Sequence, residues 1–295
     1  MSLVSNLNIP YVSRISSPPG RPIHPKHRLD LYVPQESEST SPDLLVFFHG
    51  GAWRSNDKLE FNDFARNLVK IGGGKFAVAV VNYPLTTTVE NPSDPAAAGC
   101  EVPHYEPETY MFKTLEDSAK AIAFLANHGD VYGYNEKRII LVGHSVGAQL
   151  ISMLLLEPKY FTAVMDNTTY VENPSTKVVG IIGIDGIYDI PKLVLDYPNY
   201  QNWFVAAACS QDHEKWKRYS PQYQTPSNLP QIPVLIIHSP EDELVNDKQA
   251  ISFKQKLQEL GLTNVSLETD VSGKHDETLA TVEVAQKVIN FCGSL

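Results

Sequence analysis

The chain alternates short, continuous apolar runs with amphipathic stretches. Residues 44–48 (LLVFF), 76–81 (FAVAVV), 138–142 (RIILV), 178–184 (VVGIIGI) and 234–238 (VLIIH) are apolar at nearly every position. Such runs are expected of strands covered on both faces. Residues 29–33 (LDLYV) read as a further short strand, and 265–269 as a weaker one. Between them, Met111, Leu115, Ala119, Ile122 and Leu125 recur at steps of three and four. Ala250, Phe253, Leu257 and Leu260 do the same, as do Leu279, Val282, Ala285, Ile289 and Cys292. Each set aligns one apolar stripe along a helix. Strands alternating with helices predict an α/β fold: a mostly parallel, twisted sheet flanked by helices.

Two stretches break the rhythm. Residues 86–107 hold four prolines and little periodicity, and read as a long loop. Residues 191–231 are rich in tyrosine, tryptophan and charge, and read as a small cap-like insertion between two core strands. Residues 1–28, rich in serine and proline, read as an irregular arm, leaving 29–295 as a single domain. At 295 residues the length alone allows two domains, since one domain per about 150 residues is the usual prior, but α/β folds run longer as one unit.

Charge narrows the partners. With 24 Lys plus Arg against 34 Asp plus Glu, the formal net charge is −10. That balance argues against nucleic acid and against an anionic membrane surface. Cys100, Cys209 and Cys292 are scattered and form no CxxC or Cys/His cluster, so neither a disulfide framework nor a zinc site is indicated. The first twenty residues lack the basic start and apolar core of a secretory signal. The glycosylation-type triplets at Asn167 and Asn264 then read as chance, and a cytoplasmic, or also nuclear, protein is the simplest expectation.

Gly143-His144-Ser145-Val146-Gly147 directly follows the RIILV run and precedes a helical stretch, 148–156. This is G-x-S-x-G in the strand–turn–helix setting that gives the motif its meaning. A sharp turn lifts the serine hydroxyl above the sheet edge. A side chain in place of either glycine would strike the neighbouring strand or helix. The helix directs its positive end at the site, and the Val146 N–H can meet an oxyanion. His49-Gly50-Gly51-Ala52-Trp53 follows the LLVFF run, where an oxyanion loop is expected, so the N–H groups of Gly51 and Ala52 are further donors. His49 reads as a structural support of that loop. Trp53 is either core or a wall of the substrate pocket.

With this turn the acid and then the histidine should follow the serine in the chain. Three carboxylates, Glu241, Asp242 and Glu243, follow the VLIIH run. Asp242 is the candidate acid, with Glu241 and Glu243 facing water or capping the next helix and Asp185 in reserve. After Asp242 only one histidine remains, His275, so chain order selects it as base. His144 should point away from the site, and Asp276 and Glu277 read as first-turn acids of the last helix. Ser145, His275 and Asp242 together predict acyl transfer through a covalent acyl-enzyme, with no metal or organic cofactor.

These motifs carry a family resemblance. Residues 29–292 resemble an α/β-hydrolase. HGGAW at 49–53, GHSVGA at 143–148, DGIYDI at 185–190 and S-x-x-D-E-L at 239–244 resemble the fungal kynurenine formamidases (arylformamidases). The resemblance implies Ser145, Asp242 and His275 as triad, and Gly51 and Ala52 as oxyanion donors. It implies cleavage of N-formyl-L-kynurenine to L-kynurenine and formate, in tryptophan catabolism that feeds NAD synthesis, and a homodimer. An aromatic leaving group would suit a wall built from Trp53, Tyr188, Tyr197 or Trp203. The rivals are a short-acyl carboxylesterase of the same fold, a non-catalytic ligand-binding relative and a peptidase.

Overall fold

The apolar runs become the middle of a single sheet. The computed structural model describes residues 2–12, 24–35, 41–86, 105–165 and 172–295. Among them run β1 (Leu3–Pro10), β2 (Arg28–Pro34), β3 (Asp43–Phe48), β4 (Phe76–Val81), β5 (Asn135–His144), β6 (Val178–Ile184), β7 (Val234–Ile237) and β8 (Val265–Glu268). Their order across the sheet is β1-β2-β4-β3-β5-β6-β7-β8. β1 pairs with β2, and β2 with β4, antiparallel; every other neighbour is parallel.

The runs are unbroken because both faces are covered. In β4, Ala77, Ala79 and Val81 enter one core, and Phe76, Val78 and Val80 the other. The first core is closed by α2 (Tyr110–Leu125), α3 (Val146–Leu156) and α4 (Lys248–Glu259), through side chains such as Leu115, Leu150 and Phe253. The second is closed by α1 (Asn62–Ile71) and α5 (Val282–Gly293), through Leu68, Val288 and Ile289. This is the mostly parallel, helix-flanked sheet that the alternating pattern predicts, and the α/β-hydrolase fold that the resemblance implies. No helix among the described residues is long and apolar enough to cross a membrane.

Two differences stand out. The arm read as irregular contains β1, whose residues are mostly exposed because it is an edge strand with one covered neighbour. The final helix begins at Val282, capped by Thr281, rather than at Asp276. Leu279 sits instead in a short 3₁₀ turn over Thr278–Ala280. Most of the proline-rich loop, residues 87–104, lies outside the described residues, as do Cys100, Asn167 and positions 13–23 of the arm.

The segment read as a cap is a string of short helices that returns to α3. It includes a π-helical turn over Gln201–Val205 and a helix over His213–Arg218. The Gln149 Nε2 amide on α3 donates to the Tyr219 carbonyl at 2.7 Å, and Ile190 N donates to Ser220 Oγ at 2.9 Å. These bonds hold the segment over the carboxyl ends of β5 and β6. In open α/β sheets ligands bind at that edge.

Candidate active site

Ser145 closes β5 and caps α3 with φ 54° and ψ −118°. A non-glycine residue in that conformation costs about 1–3 kcal/mol, and the surroundings must hold it there. They do so by backbone bonds. Ser145 N donates to the Ile184 carbonyl at 2.9 Å, and the Ser145 carbonyl accepts from Ala148 N at 3.1 Å and Ile187 N at 3.3 Å. The flanking glycines have steric reasons. A Cβ on Gly147 would lie 2.0 Å from the Phe48 carbonyl oxygen, and one on Gly143 would lie 2.5 Å from Gly147. The turn fits only because β3 and α3 approach to backbone contact.

The loop after β3 faces Ser145. Gly51, Ala52 and Trp53 all have positive φ, at 106°, 53° and 56°. Among the described residues no acceptor takes the N–H groups of Gly51, Ala52 or Val146. Gly51 and Ala52 line the same cavity as Ser145. The loop is anchored on both sides. His49 Nδ1 lies 2.7 Å from the Gly50 carbonyl and its ring stacks on Tyr83 at 4.6 Å. Downstream, Asp57 caps the 3₁₀ turn Lys58–Phe61 and pairs with Lys26 at 2.6 Å. Its carboxyl is held down to about 2: burial alone would raise it, and the Lys26 ammonium together with hydrogen bonds from Leu59 N and Asn82 more than reverses that.

Asp242 and His275 meet in the loops after β7 and β8. His275 Nδ1 lies 2.7 Å from Asp242 Oδ2. The other oxygen, Oδ1, accepts from Leu244 N and Val245 N, each at 2.9 Å. Burial raises the Asp242 pKa, but the His275 hydrogen bond and these N–H groups more than reverse it, so the acid is ionised. An ionised carboxylate only accepts, so Nδ1 carries the proton and Nε2 has the lone pair. Burial lowers the His275 pKa, and the Asp242 bond and charge lift it above the ordinary value of 6.5. His275 and Ser145 line one cavity.

The flanking acids do more than face water. Glu243 Oε2 accepts from His275 N at 3.2 Å, and Glu241 Oε2 from Gly273 N at 3.4 Å. Ser239 Oγ donates to the Gly273 carbonyl at 2.6 Å. The loop carrying the histidine is thus stitched to the loop carrying the acid.

Several expected positions need correction. Trp53 and Tyr188 are not cavity walls: both are 0% exposed. The left-handed turn at 51–53 swings Trp53 inward, where Nε1 reaches Gln149 Oε1 at 3.3 Å and the ring packs on Phe204. Tyr188 stacks on Phe253 at 4.1 Å. Tyr197 stacks on Tyr200 at 5.0 Å and is not part of the wall. The aromatic wall is Phe61, Tyr200, Trp203 and Phe204. His144 does not point away. It lines the cavity and its Nε2 meets the His275 carbonyl at 3.0 Å. Burial, with the neighbouring His275, lowers its pKa to about 3, so it is a neutral donor that steadies His275. Asp276 also lines the cavity, and Glu277 precedes the 3₁₀ turn rather than a helix.

Asp185 is the least expected neighbour. It directly follows β6 with φ 46° and is fully buried; Oδ1 accepts from Ser239 N at 2.8 Å. Burial, and then the charge of Asp242, raise its pKa to about 7. Ligand-type atoms of His144, Asp185 and His275, and of Asp185, His238 and Asp242, lie within 4.8 Å of one another in each trio. Both trios contain a member of the Asp242–His275 pair, so a cation there would draw on atoms that the pair needs. A base at His275 would need its neutral form, so kcat/KM should fall as pH drops through its raised pKa. An ionised Asp185 stabilises the imidazolium. Asp185→Asn should therefore move the acid limb of the kcat/KM profile to lower pH; a limb that stays in place or moves up would refute this coupling.

Comparison with known proteins agrees with the fold. The BD-FAE family model matches residues 29–98 and 105–257. The kynurenine formamidase of Meyerozyma guilliermondii is 28% identical over 257 residues, covering 85% of this chain and 84% of its own. A kynurenine formamidase-like hydrolase of Fusarium equiseti is 28% identical over 288 residues, covering 90% of each chain. Among solved structures, esterase B from Lactobacillus rhamnosis superposes with a TM-score of 0.74 at 14% identity, over 99% of this chain and 85% of its own.

Proposed function

The chain belongs to the BD-FAE family, and on that premise we propose that it is a serine hydrolase that cleaves N-formyl-L-kynurenine to L-kynurenine and formate. One observation carries the reading. Ser145, held at φ 54°, shares a cavity with a histidine whose Nδ1 lies 2.7 Å from an ionised, buried aspartate. The resemblance of the curated relatives selects the substrate within that chemistry.

In the proposed reaction Ser145 Oγ attacks the formyl carbon while His275 Nε2 takes its proton. The N–H groups of Gly51, Ala52 and Val146 receive the negative oxygen; one such donor is worth about 3 kcal/mol of barrier. The tetrahedral adduct collapses as His275 returns the proton to the aryl nitrogen, and the amine leaves. Water, activated by the same imidazole, cleaves the formyl–serine ester and releases formate. The leaving aryl ketone packs against Phe61, Tyr200, Trp203 and Phe204, in a cavity of about 640 Å³.

A second reading is a short-acyl carboxylesterase. The fold it shares with esterase B favours it, since the same serine machinery cleaves esters. Turnover of N-formyl-L-kynurenine, followed by the absorbance of kynurenine, separates the two. We expect kcat/KM for the formamide to match or exceed that for phenyl acetate. Rapid ester hydrolysis with the formamide untouched would leave the esterase reading standing.

A further inference from the structure

A protein of net charge −10 presents a poor average field to a substrate carboxylate. The cavity wall is also partly acidic, since Glu60 and Asp276 line it. Neither histidine of the wall offsets this: His144 is neutral, and His275 must be neutral to act as base. One permanently charged cation lines the cavity among the described residues, Arg54. It follows the oxyanion loop by one residue. Nη1 donates to the Trp203 carbonyl at 2.9 Å, and the guanidinium carbon lies 5.9 Å from the Trp203 ring.

This places the cation at the seam between two walls. One is the oxyanion loop, fixed by its left-handed backbone. The other is the π-helical turn over Gln201–Val205, which supplies the aromatic side. Trp203 is 52% exposed although it lines a cavity, so its face is open to a ring seated there. A guanidinium is a planar fork of five N–H donors that matches a carboxylate in geometry as well as charge. An aromatic leaving group stacked along Trp203 and carrying a carboxylate on a short side chain would bring that anion to Arg54.

We infer that Arg54 is the specificity residue of this cavity, binding the carboxylate of the leaving group, so that the enzyme prefers acyl derivatives of aryl amines that bear a carboxylate over those that lack one. The inference rests on the hydrolase reading above. It adds the side chain that selects the leaving group. Arg54 is not required for the chemical step, because the oxyanion donors and the triad are separate groups.

The test compares two formamides that share the scissile bond and the aryl ketone: N-formyl-L-kynurenine, and the neutral 2-formamidoacetophenone. Each is assayed with the native protein, with Arg54→Met, which keeps the aliphatic stem, and with Arg54→Lys, which keeps the charge. In Arg54→Met, kcat/KM for N-formyl-L-kynurenine should fall about 10- to 100-fold, mainly through KM, as expected for a lost charged hydrogen bond. The neutral formamide should change by less than about threefold, and Arg54→Lys should recover part of the loss. Equal losses on both substrates would assign Arg54 to holding Trp203 and overturn the proposal, as would no loss on either. If the native protein hydrolyses neither formamide, the formamidase reading fails instead. The same contrast between O-acetyl-L-tyrosine and phenyl acetate then decides the role of Arg54.

Discussion

Ser145→Ala is expected to lower turnover about a millionfold, the loss found when a serine nucleophile is removed from a complete triad. The residual rate would come from the oxyanion donors and the cavity. The far-UV spectrum and melting temperature should change little, since Ser145 is held by its backbone bonds and alanine leaves those in place. Labelling by a fluorophosphonate probe should occur in the native protein and vanish in the variant. A native protein that resists the probe would revive the non-catalytic alternative. A variant that keeps more than about one per cent of the rate would remove Ser145 as nucleophile.

Asp242→Asn should cost about 10⁴-fold in kcat, the scale of a wrong tautomer at the base. The local bonding makes this substitution informative. Leu244 N and Val245 N both donate to Oδ1. An asparagine will therefore turn its carbonyl oxygen toward those two donors and present its NH₂ to His275 Nδ1. That nitrogen must then accept, the proton moves to Nε2, and the imidazole loses the lone pair it needs. Activity close to native in a folded Asp242→Asn protein would show that the acid is misassigned, and the same substitution at Asp185 would be examined next.

How far could the residues themselves be read? The parallel strands were legible because a strand covered on both faces must be apolar throughout, as in FAVAVV. The turn at Ser145 was legible because two glycines are forced by backbone contact. β1 was not, because an edge strand with exposed faces carries no apolar pattern. α1 does carry one, in Phe64, Leu68 and Val69, but it is a short helix entered through a 3₁₀ turn. Trp53 was ambiguous because its direction depends on three consecutive left-handed residues, two of them not glycine. The aromatic wall depends on a π turn in the 191–231 segment, whose placement is set by distant partners such as Gln149 and Arg54. The role of His144 as a donor to the His275 backbone could not be inferred from a motif that merely places it beside the serine.

The stitching of the loop after β8 to the loop after β7 has a consequence for the life of the chain before it is finished. During synthesis the Ser145 turn emerges long before the loop that carries His275. The His275 backbone sits 131 residues beyond the His144 side chain that it bonds. Until β7 and β8 have joined the sheet, His275 is not beside Ser145 in one cavity. Long-range parallel pairing is slow to form. With Ser145 and His275 in their proposed roles, reactivity would thus be withheld from the nascent chain by topology, until the last strand has paired.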